Sequence, residues 1–227
     1  MKLIDLSREL YHRTPAHPSH PPVAVATWYD HDEVKTAGNT RWSSKALFLS
    51  MSDHAGTHVD APCHFNPDPQ APSIDQLPLE DFFTEAICMD LAHVPLKHEI
   101  TVAEMKEALA KSGQAIKKRD TVLINMGVNA RLFGTPAYAT DFPGLHVDSV
   151  HWLADHGILM FGVEAVSPAP QGEAISKPTS PVRNVALRIS SACGTWRPWL
   201  GRVASNSLLF PCVFVAGPPA QSVLLRC

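Results

Sequence analysis

Between residues 80 and 166 the spacing of apolar positions changes repeatedly. AICMDL, ending at Leu91, is a nearly continuous apolar run of strand length and predicts a buried strand. Residues 101–111 space Val102, Met105, Ala108 and Leu109 at helical intervals, which predicts an amphipathic helix. Thr101, with Glu104 three residues on, matches a capping box, and Gly113 is a natural stop. TVLINMG at 121–127 predicts a second strand ending in glycine. SVHWLADHGI at 149–158 predicts a short helix, and ILMFGVEA follows as another strand. Strands alternating with helices place the chain in the α/β class.

The first 80 residues have a different texture. KLIDL at 2–6 predicts a short strand. Residues 11–22 hold four prolines and three histidines, which predicts an exposed loop with solvated imidazoles. KALFLSMS at 45–52 has the length of a strand and runs straight into DHAGTHVDAPCHF. NPDPQAPS then reads as a loop, and IDQLPLEDFF as a turn and short helix.

Composition narrows the classes. A chain of 227 residues suits one domain. With 45% hydrophobic and 18% charged residues it can fill a core, and disorder is disfavoured. A net charge of −3 gives nothing to attract nucleic acid or an anionic membrane. No apolar run approaches the ~18 residues of a membrane span. The opening MKLIDLSREL does not read as a secretory signal. The 5 cysteines are odd in number, widely spaced and lack a C-x-x-C pair, so a reduced, cytoplasmic protein is expected. Neither a phosphate-binding glycine loop nor a nucleophile elbow is present. Histidine, at 12 residues, prompts a search for ligands and bases.

Three of these histidines and an aspartate fall within His54-Ala-Gly-Thr-His58-Val-Asp60-Ala-Pro-Cys-His64. A helix would turn Asp60 away from the imidazoles, and Gly56 and Pro62 oppose helix formation. An extended chain would project His54, His58, Asp60 and His64 to one side, with Gly56 leaving room for an ion beside the backbone. Imidazole nitrogen and carboxylate oxygen suit a divalent metal, Zn or Mn, with a coordination position left for water. A neighbouring histidine would then take or deliver a proton.

The segment H-x-G-T-H-x-D-x-P-x-H-F resembles the signature of the cyclase-like metal hydrolases, which include bacterial kynurenine formamidase and isatin hydrolase. LIDLS, the YHRTP–HP loop, WSSKALFLS, IDQLP, FPGL and GVEAVSP also resemble that family, and together they span residues 1–187. The resemblance implies a swivelling β/β/α cyclase-like fold in a single domain, usually in a homo-oligomer (dimer or tetramer). It implies hydrolysis of an amide beside an aromatic ring, with His54, His58 and Asp60 as metal ligands and His64 as the catalytic histidine. Thr57 stands where bacterial kynurenine formamidases often carry alanine.

Other positions carry weaker expectations. Trp28 and Trp42 offer stacking surfaces for an aromatic substrate, against the commoner use of tryptophan in a core or interface. Glu164 lies at a strand end where the family often has an Asp, and would support the site. Cys63 should be a buried spacer on the opposite face of the motif. His93, His98, His151 and His156 should be solvated.

The tail departs from the family. Residues 174–227 carry six basic side chains and no acid, so the first 173 carry a net −9. Members with two metals draw a His and a Glu from this region, but here no histidine follows His156 and no acid follows Glu173. Residues 188–227 are therefore expected to be an atypical C-terminal tail, either read in a shifted frame or divergent but genuine, with SLLFPCVFVA as a normal buried strand. The leading functional expectation is an arylformamidase opening N-formyl-kynurenine to kynurenine and formate. A hydrolase of isatin or another cyclic amide comes second. A non-catalytic family member and a plain metal-binding protein are the remaining readings.

Overall fold

Side-chain alternation decides which face of the main sheet each strand residue joins. The computed structural model describes residues 6–170 and 188–191. Its central sheet has five strands: β5 (His58–Asp60), β6 (Ala86–Asp90), β8 (Thr121–Asn125), β10 (Met160–Val163) and β11 (Arg188–Ser191), in the order β5-β11-β10-β8-β6. The last four run parallel to their neighbours, and β5 pairs antiparallel with β11. Ile87 and Met89, Val122 and Ile124, and Phe161 and Val163 share one face. There they bury the stripes of α2 (Val102–Ser112) and α4 (Val147–Asp155), through Met105, Ala108, Val150 and Leu153. Met160, one residue out of phase with Phe161, packs instead with Val59, Ala61, Ile74 and Phe82.

Parallel strands need crossovers, and helices supply them. The segment between β6 and β8 contains the short strand β7 (Glu99–Ile100) and α2, and that between β8 and β10 contains α3 (Val128–Leu132), β9 (Gly144–Leu145) and α4. The capping box expected at α2 is present: Thr101 Oγ1 accepts from Glu104 N, and the Glu104 carboxylate accepts from Thr101 N at 2.8 Å. Gly113 ends the helix at φ 66°, in the left-handed region that glycine adopts without strain. The later helix starts two residues before its expected position, because the His146 ring accepts from Asp148 N and caps it.

One expectation changes, and one expected strand forms outside the central sheet. IDQLPLEDFF forms two short 3₁₀ turns, Ile74–Gln76 and Leu79–Phe82, because Pro78 keeps Leu77 extended and interrupts any helix. The apolar run at 45–52 does form a strand, β4 (Ala46–Ser50), but it is not buried. It pairs antiparallel with β1 (Ala24–Tyr29) in a two-stranded ribbon separate from the central sheet. Leu47, Phe48 and Leu49 are exposed there, as is Trp28 at 71%. A second small hairpin, β2 (Lys35–Ala37) with β3 (Thr40–Trp42), lies between them in sequence, where the Lys35 ammonium sits 3.7 Å from the Tyr29 ring centroid.

The expected strand at 2–6 lies outside the described residues apart from Leu6. So does the tail from 188 onward, apart from β11, which sits between β10 and β5. Among the described residues no helix is long and apolar enough to cross a membrane.

Candidate metal centre

The motif is not one extended strand. Residues 53–57 turn, only His58–Asp60 is strand, and Pro62–Phe65 form a short helix, α1. Two residues explain the breaks. Gly56 takes φ +70°, a turn conformation, and Pro62 stands in the first turn of α1, where its missing N–H has no partner to lose. The space expected beside Gly56 is taken: a Cβ built there would meet Leu10 Cδ2 at 2.7 Å.

These turns nevertheless bring the donors together. One ligand atom from each of His54, His58 and Asp60 lies within 4.8 Å of the others. Asp60 Oδ1 is 2.7 Å from His54 Nδ1 and 3.2 Å from His58 Nε2. Donors around an ion bound at ~2.0–2.2 Å stand about 3.3–3.5 Å apart; the His58–Asp60 pair is close to that spacing, and the His54–Asp60 pair has that of a hydrogen bond. The orientation of His58 supports the same reading. Its Nδ1 is 2.9 Å from the Gly56 carbonyl, which can only accept, so Nδ1 carries the hydrogen. Its Nε2 then faces a carboxylate oxygen, an arrangement that a proton or a cation between them satisfies. Metal-binding histidines commonly donate their second nitrogen to a carbonyl in this way. The donor set therefore fits a divalent ion.

Electrostatics follow from the crowding. Burial opposes the charge on Asp60, but hydrogen bonds from His54 and His58 outweigh it and hold its pKa well below the usual carboxylate range. Burial likewise opposes charge on His54, yet Asp60 and Asp53 together raise its pKa. At His64, desolvation and the neighbouring His54 and His58 outweigh the carboxylates and lower the pKa, which favours the neutral ring. The His64 ring centroid lies 3.9 Å from that of His54.

The family model described as "Putative cyclase" matches residues 4–170. The chain belongs to this cyclase family. It is 30% identical over 176 residues to a kynurenine formamidase from Salinibacter ruber, covering 75% of this chain and 72% of that one. Its fold is like that of isatin hydrolase A from Ralstonia solanacearum, with a TM-score of 0.71 at 21% identity, covering 91% of this chain and 86% of that one. A "predicted metal-dependent hydrolase from Bacillus stearothermophilus" shares the fold with a TM-score of 0.59 at 20% identity, covering 85% and 82%.

Against that cyclase framework the sequence candidates fall into three groups. His54, His58, Asp60 and His64 converge. Trp28 and Trp42 lie exposed on the ribbon and hairpin, 71% and 46% accessible, and among the described residues neither ring touches the imidazole group. Glu164 is buried and faces α3: its carboxylate oxygens accept from Val128 N at 2.8 Å and Asn129 N at 3.2 Å. Burial raises its pKa against the pull of those N–H groups. The structure thus makes Glu164 an anchor for α3. Cys63 is exposed, a correction to the expected buried spacer, because α1 replaces strand alternation there.

Sequence reasoning missed the residues that frame the motif. Arg8 N donates to Thr57 Oγ1 at 2.9 Å, while its guanidinium lies 4.3 Å from the Phe133 ring centroid and its Nη2 donates to Asn129 Oδ1. The N-terminal segment, through Arg8 and Leu10, therefore straps the turn that carries His54 and His58. Thr57 has a structural use in this chain as the acceptor for that strap. His20 was also missed, since its loop was expected to be solvated; its ring stacks on His54 at 5.2 Å. No local periodicity marks any of these contacts.

Proposed function

We propose that this cyclase-family protein hydrolyses an aryl formamide, with N-formyl-kynurenine, opened to kynurenine and formate in tryptophan catabolism, as the leading substrate. The chain is a hydrolase acting on C–N bonds. The observation that carries the substrate reading is the convergence of His54, His58 and Asp60 beside His64, in a chain 30% identical to a kynurenine formamidase.

His54, His58 and Asp60 would hold the divalent ion, Zn or Mn. Such an ion supplies Lewis acidity toward the formyl oxygen and lowers the pKa of a bound water toward ~7. His64, with its pKa lowered, is suited to accept a proton as the neutral ring and return it to the leaving nitrogen. Asp60, held anionic by two imidazoles, keeps the cluster ready for a cation. Hydrolysis of isatin or a related cyclic amide is the second reading, supported by the fold likeness to isatin hydrolase A.

The molecule is further proposed to be a homo-oligomer, a dimer or tetramer. An isolated two-stranded ribbon is marginal in water, and the exposed Trp28, Leu47, Phe48 and Leu49 call for a cover. Free thiols at Cys63 and Cys88 support a reducing, cytoplasmic location. The deciding experiment measures bound metal and then turnover of N-formyl-kynurenine against isatin. Metal-dependent release of formate is expected. A metal-loaded protein that opens neither compound would overturn the enzymatic reading in favour of a non-catalytic family member.

A further inference from the structure

The loop at 11–22 is built to hold one imidazole in place. Arg13 N donates to Val23 O at 2.8 Å and closes the loop, and Val23 itself is fully buried. Pro18, Pro21 and Pro22 flank His20 and restrict the backbone on both sides. His20 N donates to His17 O at 3.0 Å. The His20 ring then lies against His54 with centroids 5.2 Å apart and planes 27° apart.

Ser52 fixes the other edge of this ring. Its hydroxyl has one proton, and Asp53 Oδ1, 3.1 Å away, can only accept it. Ser52 Oγ therefore accepts from His54 N at 3.1 Å and from His20 Nδ1 at 3.3 Å. One hydroxyl thus ties the backbone of His54 to the ring that stacks on its side chain. His54 is in contact with His64 as well, at 3.9 Å, so its plane affects both the ligand set and the proton-transfer group.

We propose that His20 is a positioning residue for the metal ligand His54. Its ring face sets the plane of the His54 imidazole, and Ser52 aims that ring. Nothing in this role requires His20 to touch the ion or the substrate. The inference rests on the proposed function in one respect, that His54 binds a metal.

The test uses two conservative variants of the full chain. His20→Phe keeps a flat ring and removes the nitrogen; His20→Asn keeps a donor for Ser52 and removes the ring. Apo protein is titrated with Co²⁺ against a competing chelator, the visible absorption of the bound ion is recorded, and circular dichroism confirms the fold. Loss of an outer partner of a metal ligand weakens metal binding by about 10–100-fold, and His20→Asn is expected in that range with an altered Co²⁺ spectrum. His20→Phe should recover most of the affinity and the parent spectrum. Parental affinity and spectrum in His20→Asn overturn the proposal, as does a His20→Phe protein weaker than His20→Asn. A parent protein that binds no Co²⁺ overturns the metal reading itself, and this inference with it.

Discussion

Replacing Gly56 by alanine tests the geometry of the centre without touching a donor atom. The residue has φ +70°, and its new Cβ would stand 2.7 Å from Leu10 Cδ2 and 3.3 Å from Leu10 Cγ. Holding a non-glycine residue in the left-handed region costs about 1–3 kcal/mol. The lost unfolded-state freedom of glycine returns about 0.4–1 kcal/mol. Crowding against Leu10 adds about 1 kcal/mol, at the low end for overpacking because the neighbour is the far end of a flexible side chain. The net expectation is a loss of about 2 kcal/mol, or roughly 4–8 °C in Tm for a chain of this size. A double-mutant cycle separates the two causes: adding Leu10→Ala should recover the crowding part only, as a coupling of about 0.5–1 kcal/mol. Because Gly56 O accepts from His58 Nδ1 at 2.9 Å, relief of the strain by backbone rotation would also withdraw that partner. Metal affinity should then fall by about 10-fold or more. Urea melts of the apo protein and chelator competition read the two effects separately. If Gly56→Ala matches the parent in both, neither the positive φ nor the Leu10 contact constrains the turn.

Two further predictions follow from the same site and its surroundings. His64→Ala should keep its metal and lose about 10²–10⁴ in kcat, and a folded variant without metal would instead make His64 a ligand. Burial, with Asp90 and Glu164, pushes the Cys88 thiol up to about 12, whereas Cys63 is exposed. Brief alkylation of the native protein at pH 8, mapped by peptide mass spectrometry, should therefore label Cys63 and spare Cys88; equal labelling contradicts the placement of β6.

What could be read along the chain was local in origin. The helix α2 was legible because its stripe, its capping box and its terminal glycine all lie within 13 residues. The β6, β8 and β10 strands were legible because strands buried on both faces are continuous apolar runs. The donor types of the motif were legible for the same reason, but its conformation was not. Even spacing suggested one extended segment, whereas the φ of Gly56 and the helix begun by Pro62 bend it twice. Nor could pattern reveal Leu10 under Gly56, Arg8 on Thr57, or His20 on His54. Each is a contact across tens of residues whose partners carry no periodic mark. The apolar run at 46–50 shows the limit in another form: hydrophobicity fixed a strand and said nothing of what would cover it.

The chemistry of the centre turns on one oxygen. Asp60 Oδ1 faces imidazole nitrogens from two histidines, at 2.7 and 3.2 Å, in a buried setting. His58 has already committed the hydrogen on Nδ1 to Gly56 O. Without an ion, the oxygen is hydrogen-bonded to His54 Nδ1, and Asp60 and Asp53 raise the pKa of His54 against its burial, which favours a proton there. A buried ion pair of this kind loses solvation that its own attraction repays only with good hydrogen bonding. A divalent cation competes for the same lone pairs and must displace that proton, so metal binding and proton release are linked at this site. The low pKa of Asp60 serves both states, since the carboxylate stays anionic whether protons or metal face it. His64 is in contact with His54 but is not hydrogen-bonded to Asp60 in this arrangement. Of the three imidazoles in the motif, it is therefore the one that the proposed ligand set leaves free to move a proton.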